Sequence, residues 1–234
     1  MILANHGIIS SSGGLPPSTL LTDLYAVYNA ENNANDSFGT NNGTVQGGLT
    51  YAAGINGNSF VFNGTNAYVS LPNNSLNPGG DFSFSFWVKF NSVAPIYINL
   101  IENYYAPSPS NRYGYNIYLQ SGKIVFATYN GSVTNSVQAT SSLSINQWYN
   151  IVLSKKTSNV PKLYINGVID NFSYFSGNIS NNLVYNSLCK SLLGVDYDTS
   201  YNSFLNGSLD AIALWDKELT QTEITELQTK FYPF

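Results

Sequence analysis

The chain has 234 residues, a formal net charge of −4 and only 9% charged residues beside 43% hydrophobic ones. Nine basic residues scattered along it form no patch for phosphates, which argues against a nucleic-acid partner, and no apolar run approaches the roughly 18 residues of a membrane-spanning helix. Polarity is carried instead by 32 Asn and 29 Ser, set against 18 Tyr and 13 Phe, a balance of turn formers and strand formers that points to an all-β fold.

In chain order, residues 1–21 read as an arm. Ser10-Ser11-Ser12-Gly13-Gly14 is flexible, Pro16-Pro17 breaks regular structure, and Ile2, Leu3, Ile8 and Ile9 need a partner surface. The stretch has neither a positive n-region nor a continuous apolar h-region, so no standard secretion signal is expected. Residues 22–234 read as one domain of strands and turns. Strands are expected at 24–30, 59–63, 67–71, 82–90, 96–101, 113–119, 123–129, 147–155, 161–165, 191–195 and 208–215. The clearest is Phe82–Phe90, where Phe82, Phe84, Phe86, Val88 and Phe90 share one face. Asn-Gly pairs at Asn42, Asn56, Asn63, Asn130, Asn166 and Asn206 predict hairpin turns, because both residues tolerate positive φ. One helix is expected after Thr220, where Thr220-Gln221-Thr222-Glu223 forms a capping box ahead of Ile224, Leu227 and Phe231 on one stripe. Trp87, Trp148 and Trp215 are expected to be core or inter-sheet packing residues. Cys189 is alone and reads as a small buried hydrophobe.

The order of motifs resembles the laminin-G-like, concanavalin A-like lectin/glucanase family. The resemblance is carried by Tyr28–Ser37 with Asn41–Thr44, then Phe60–Val69, Phe82–Lys89, Trp148–Leu153, Leu163–Val168 and Asn206–Trp215 before the capped helix. Asn150 stands where the family usually has His. What the resemblance implies is a two-sheet antiparallel jelly-roll sandwich with one short C-terminal helix. It also implies a structural cation, calcium, between the early Asp loop and the last strand, which here means Asp36 and Asp210. Asp196 and Asp198 are a second candidate pair for a cation.

Enzyme chemistry finds little support. The single His, His6, lies in the arm, so His-based triads and His-ligated metals lack their central part. The Glu-x-Asp-x-x-Glu strand of the family's glucanases does not occur. Binding is the better expectation. Tyr104, Tyr105, Arg112 and Tyr113 fall in a segment read as a long loop, Glu102–Tyr115, and Tyr197 and Tyr201 fall in another. Tyrosine faces and amide side chains suit sugar rings, which offer C–H faces and hydroxyls. Two placements follow. A short arm on a low-charge β domain resembles small phage virion proteins, with the arm holding other virion proteins and the domain displayed, a placement open to a homo-oligomer. The alternative is a secreted or cell-surface module that binds carbohydrate.

Overall fold

The computed structural model describes residues 18–93, 97–108, 110–177, 179, 183–197 and 203–229. Most of the expected arm, together with Asp198, Tyr201 and Phe231, lies outside them. The strands are β1 (Leu24–Tyr28), β2 (Thr44–Gln46), β3 (Thr50–Ala53), β4 (Asn58–Asn63), β5 (Tyr68–Leu71), β6 (Phe82–Phe90), β7 (Tyr97–Ser108) and β8 (Asn111–Gln120). They continue as β9 (Lys123–Gly131), β10 (Val133–Ala139), β11 (Trp148–Lys155), β12 (Lys162–Ile165), β13 (Val168–Asp170), β14 (Phe172–Ser176), β15 (Lys190–Leu193) and β16 (Asn206–Trp215), before helix α1 (Gln221–Glu226).

Two antiparallel sheets pack face to face, as the sandwich reading requires. One runs β13-β12-β11-β6-β16-β4-β3, with β1 also paired to β16; the other runs β14-β10-β9-β8-β7-β15-β5-β2. The alternation of β6 explains the layer between them: Phe82, Phe84, Phe86, Val88 and Phe90 are all fully buried and meet Tyr115, Ile117, Leu119, Ile124 and Phe126 of the facing sheet. The Tyr115 hydroxyl donates to Leu76 O at 2.6 Å, so the one polar group of that aromatic layer is satisfied.

The back of the first sheet is covered by α1 and residues 19–20. Leu20, Trp215, Leu219, Ile224 and Leu227 form a second apolar cluster there. The Trp215 indole N–H donates to Leu20 O at 2.6 Å. Leu20, read from sequence as part of the arm, is therefore fully buried on the domain. The capping box is present: the Thr220 side chain accepts from Glu223 N, and Glu223 accepts from Thr220 N.

Several expectations change. Glu102–Tyr115 is no long loop: β7 and β8 pair through Tyr105 and Tyr113 out to Ser108 and Asn111. The tyrosines of this segment are strand formers with cross-strand partners, Tyr105 opposite Tyr113 and Asn103 opposite Tyr115. Trp215 is core as expected, in the cluster behind the first sheet; Trp87 and Trp148 are only half-buried, Trp148 beneath Lys89 at 5.0 Å. Asn166-Gly167 is a turn with both φ positive, at 52° and 76°. Asn206-Gly207 instead opens β16, where a Cβ on Gly207 would strike the Lys89 carbonyl.

Candidate functional site

The outer face of the second sheet carries a layer of side chains that the core does not use. Along β8, Tyr115, Ile117 and Leu119 point inward, so Asn116 and Tyr118 point out; along β9, Ile124 and Phe126 point inward, so Val125, Ala127 and Tyr129 point out. These outward residues pack with Tyr104 and Tyr97 of β7. Tyr97 and Tyr118 stack with ring centroids 4.1 Å apart, and Tyr104 meets Tyr129 at 4.8 Å. Over them lies a cleft of about 310 Å³ lined by Tyr97, Tyr104, Arg112, Asn116, Tyr129, Asp196 and Ser203.

The cleft's polar groups are ordered among themselves. Asn116 Nδ2 donates to the Tyr97 hydroxyl at 2.8 Å and Asn116 Oδ1 accepts from the Tyr129 hydroxyl at 3.1 Å. Burial, with the nearby Asp196 charge, pushes the Tyr118 phenol up to about 12, and burial raises Tyr97 and Tyr129 as well. The phenols are thus neutral hydroxyls at ordinary pH, able to donate and to accept.

The segment that brings Asp196 and Ser203 to the cleft is tied at both ends to β7. Asn99 Nδ2 donates to Val195 O at 2.9 Å and Asn99 N donates to Ser203 O at 3.2 Å. Tyr197 N donates to Glu102 Oε1 at 3.0 Å, while Asn99 Nδ2 also donates to Glu102 Oε2 at 2.7 Å. Residues three apart on a regular strand face opposite ways, but a register shift between Asn99 and Ile101 turns both Asn99 and Glu102 toward this segment. Glu102 is fully buried, with a donor on each carboxylate oxygen, and serves as an anchor.

Of the residues picked from sequence for ligand binding, Tyr104 and Arg112 line the cleft. Tyr105 and Tyr113 face each other across β7 and β8, one step out of phase with Tyr104 and Arg112, and so stand on the opposite face. Tyr197 is next to the lining Asp196, with Lys190 Nζ 5.9 Å from its ring. Tyr201 lies outside the described residues. Sequence reading passed over Tyr97, Asn116 and Tyr129; the available signal was polar or aromatic residues at the positions out of phase with the inward ones.

Asp36 and Asp210 hold backbone amides. Asp36 Oδ1 accepts from Val27, Phe38 and Gly39 at 3.0, 3.1 and 2.8 Å, and Oδ2 accepts from Asn41 at 3.2 Å. These bonds order the Asn-rich segment after β1. Asp210 Oδ2 accepts from Ile55 and Asn56 at 2.7 and 3.3 Å, and Oδ1 from Ala211 at 2.7 Å. Asp210 stands where β16 changes its partner from β4 to β1, at a register shift where Ala211 has φ 46°. Burial, opposed by these amides and aided by the charge of Glu31, pushes its carboxyl up to about 6. The two carboxylates share no donor, and each is held by backbone N–H groups. Among the described residues no three His, Cys, Asp or Glu side chains gather to hold a metal.

Comparison with known proteins agrees with the architecture. The family model described as the concanavalin A-like lectin/glucanases superfamily matches residues 63–225. Domain 4 of AbnA, an extracellular arabinanase from Geobacillus stearothermophilus solved with arabinotriose, superposes with a TM-score of 0.70 at 24% identity, over 88% of this chain and 98% of that one. The binding domain of Paraclostridial Mosquitocidal Protein 1 superposes with a TM-score of 0.67 at 18% identity, over 88% of this chain and 52% of that one. The Botulinum-like toxin eBoNT/J of Enterococcus sp. (strain 3G1_DIV0629) is 25% identical over 173 residues, 70% of this chain but only 13% of the toxin's length.

Proposed function

The chain belongs to the concanavalin A-like lectin/glucanase superfamily, and from that premise we propose that it is a non-catalytic module binding a short saccharide in the tyrosine-lined cleft. The observation that carries this reading is the coincidence of Tyr97, Tyr104 and Tyr129 with Arg112, Asn116, Asp196 and Ser203 around one opening of about 310 Å³. Apolar ring surface with a few convergent polar groups is the usual make-up of a small-ligand site, and this volume sits at the small end of such sites. Neutral phenols and an amide match sugar hydroxyls in both directions of hydrogen bonding.

The relatives support binding over catalysis: the arabinanase domain was solved with arabinotriose, and the mosquitocidal protein's matching part is its binding domain. Glu102 is fully buried and engaged on both oxygens, which suits an anchor and not a general acid open to substrate. An extracellular arabinanase among the relatives favours the secreted or cell-surface placement over display on a virion. Attachment to other virion proteins would rest on residues 1–17, outside the described part of the chain.

Isothermal titration against a panel of neutral and acidic oligosaccharides, arabinotriose included, tests the reading. At least one should bind with one-to-one stoichiometry, and Tyr97→Ala should weaken it about tenfold, the scale of one aromatic contact. A panel with no binder, or a binder indifferent to Tyr97→Ala, removes the cleft as the site.

A further inference from the structure

Within the saccharide reading of the cleft, on which this step rests, we infer that the ligand is acidic: a sugar carboxylate seats against the Arg112 guanidinium at the β7–β8 hairpin end. Arg112 is half-buried and lines the cleft, yet its Nε is buried with no hydrogen-bond partner. A guanidinium N–H shut away from water and left unmade is costly, and the edge formed by Nε and one Nη is the fork that takes a carboxylate through two parallel bonds. The neutral groups of the cleft, in contrast, are already paired with one another through Asn116.

The charge distribution along the face agrees. Arg112 pairs with Gly131 at one extremity of β8, four residues from Asn116 and hence roughly 13 Å along the strand. Lys190 lies on the same face, in register with Tyr104, with its Nζ bonded to Asn73 Oδ1 at 3.1 Å. Two of the chain's nine basic residues therefore stand on this face. The cleft's acid, Asp196, acts on Tyr97, Tyr118 and Tyr129, along the row of tyrosines. A chain sugar lying along the tyrosines would place its carboxylate at the Arg112 end and neutral hydroxyls beside Asp196 and Asn116.

The test compares trigalacturonic acid with its carboxyl-reduced neutral trimer on the full chain, by titration calorimetry, for wild type, Arg112→Gln, Arg112→Lys and Tyr97→Ala. Arg112 gives up no hydrogen bond at Nε, so Arg112→Gln should keep the wild-type melting curve, which is recorded alongside. The acid should bind at least tenfold tighter than the neutral trimer, and Arg112→Gln should bring that ratio close to one. Arg112→Lys should recover only part of the ratio, since an ammonium lacks the fork. Raising the salt concentration should narrow the ratio in wild type only. Equal binding of the two trimers by wild type, or a preference that survives Arg112→Gln, overturns the inference. So does binding of neutral saccharides with no binding of the acid, a result that leaves the saccharide reading standing. Acid binding that ignores Tyr97→Ala but falls with Arg112→Gln sinks the cleft reading instead and makes Arg112 a separate anion contact.

Discussion

Glu223 is the point at which the C-terminal helix, β16's following turn and residues 19–20 are tied together, and it gives a stability effect whose size and pH window follow from the structure. Its Oε1 accepts from the Thr19 hydroxyl and Lys217 Nζ, both at 2.6 Å, and its Oε2 accepts from Thr220 N and Oγ1 at 2.8 and 2.9 Å. Burial by itself would raise the carboxyl, but the bonds from Lys217, Thr19 and Thr220 outweigh it and hold it at about 2, below the ordinary 4.5. A depressed carboxyl stabilises the fold fully above its unfolded value, and that contribution disappears as pH falls through 2. Linkage then assigns the ionised group about 3 kcal/mol at pH 7, about 1 kcal/mol at pH 3 and well under 1 kcal/mol at pH 2. Urea unfolding of wild type and Glu223→Gln at these three pH values measures the difference directly. The variant should be about 3 kcal/mol less stable at pH 7, with the gap closing to under about 1 kcal/mol at pH 2. Asp210 works in the opposite sense: its carboxyl is raised from 3.8 to about 6, so the stability it lends is full below 3.8 and is lost as pH rises through 6. It is present in both proteins and cancels in the difference. A gap that stays constant from pH 7 to pH 2 would refute the ionic account of Glu223 and leave only helix capping.

Three further outcomes are expected. A chain lacking residues 1–21 should be about 3 kcal/mol or more less stable than one lacking 1–17, because Leu20 is fully buried and its carbonyl holds the Trp215 indole; equal stability of the two truncations would count against residues 18–21 as part of the domain. Calcium-loaded and chelator-treated protein should give superimposable melting curves, since amide N–H groups already fill Asp36 and Asp210; a calcium-dependent rise would return both carboxylates to the metal role. Glu102→Gln replaces an acceptor oxygen by an amide that cannot serve both Tyr197 N and Asn99 Nδ2; hydrogen exchange at Tyr197 should speed up at least tenfold, and unchanged protection there would show that Glu102 does not anchor the segment.

Much of the fold was written in local pattern. The period-two run of β6, the turn at Asn166-Gly167 and the capping box at Thr220 each depend on neighbours a few residues away, so each could be read before any tertiary contact was known. The strands that escaped reading, β10 and β14 among them, are short on apolar alternation; Thr134-Asn135-Ser136 becomes strand because β9 presents it with a hydrogen-bonding edge. The family order of motifs likewise survives in sequence, because it follows the order of core strands.

The cleft was decided by tertiary structure. Which tyrosines share a face depends on the pairing of β7 with β8: Tyr104 and Arg112 go to the cleft, and Tyr105 and Tyr113, adjacent in sequence, go to the other side. A single shift of register between Asn99 and Ile101 brings Glu102 to the segment that carries Asp196, a juxtaposition spanning more than ninety residues. Asp36 and Asp210 show the same limit. Sequence marked both as carboxylates that need partners, and only the folded chain shows which backbone N–H groups reach them, because those amides lie in loops brought together by strand pairing.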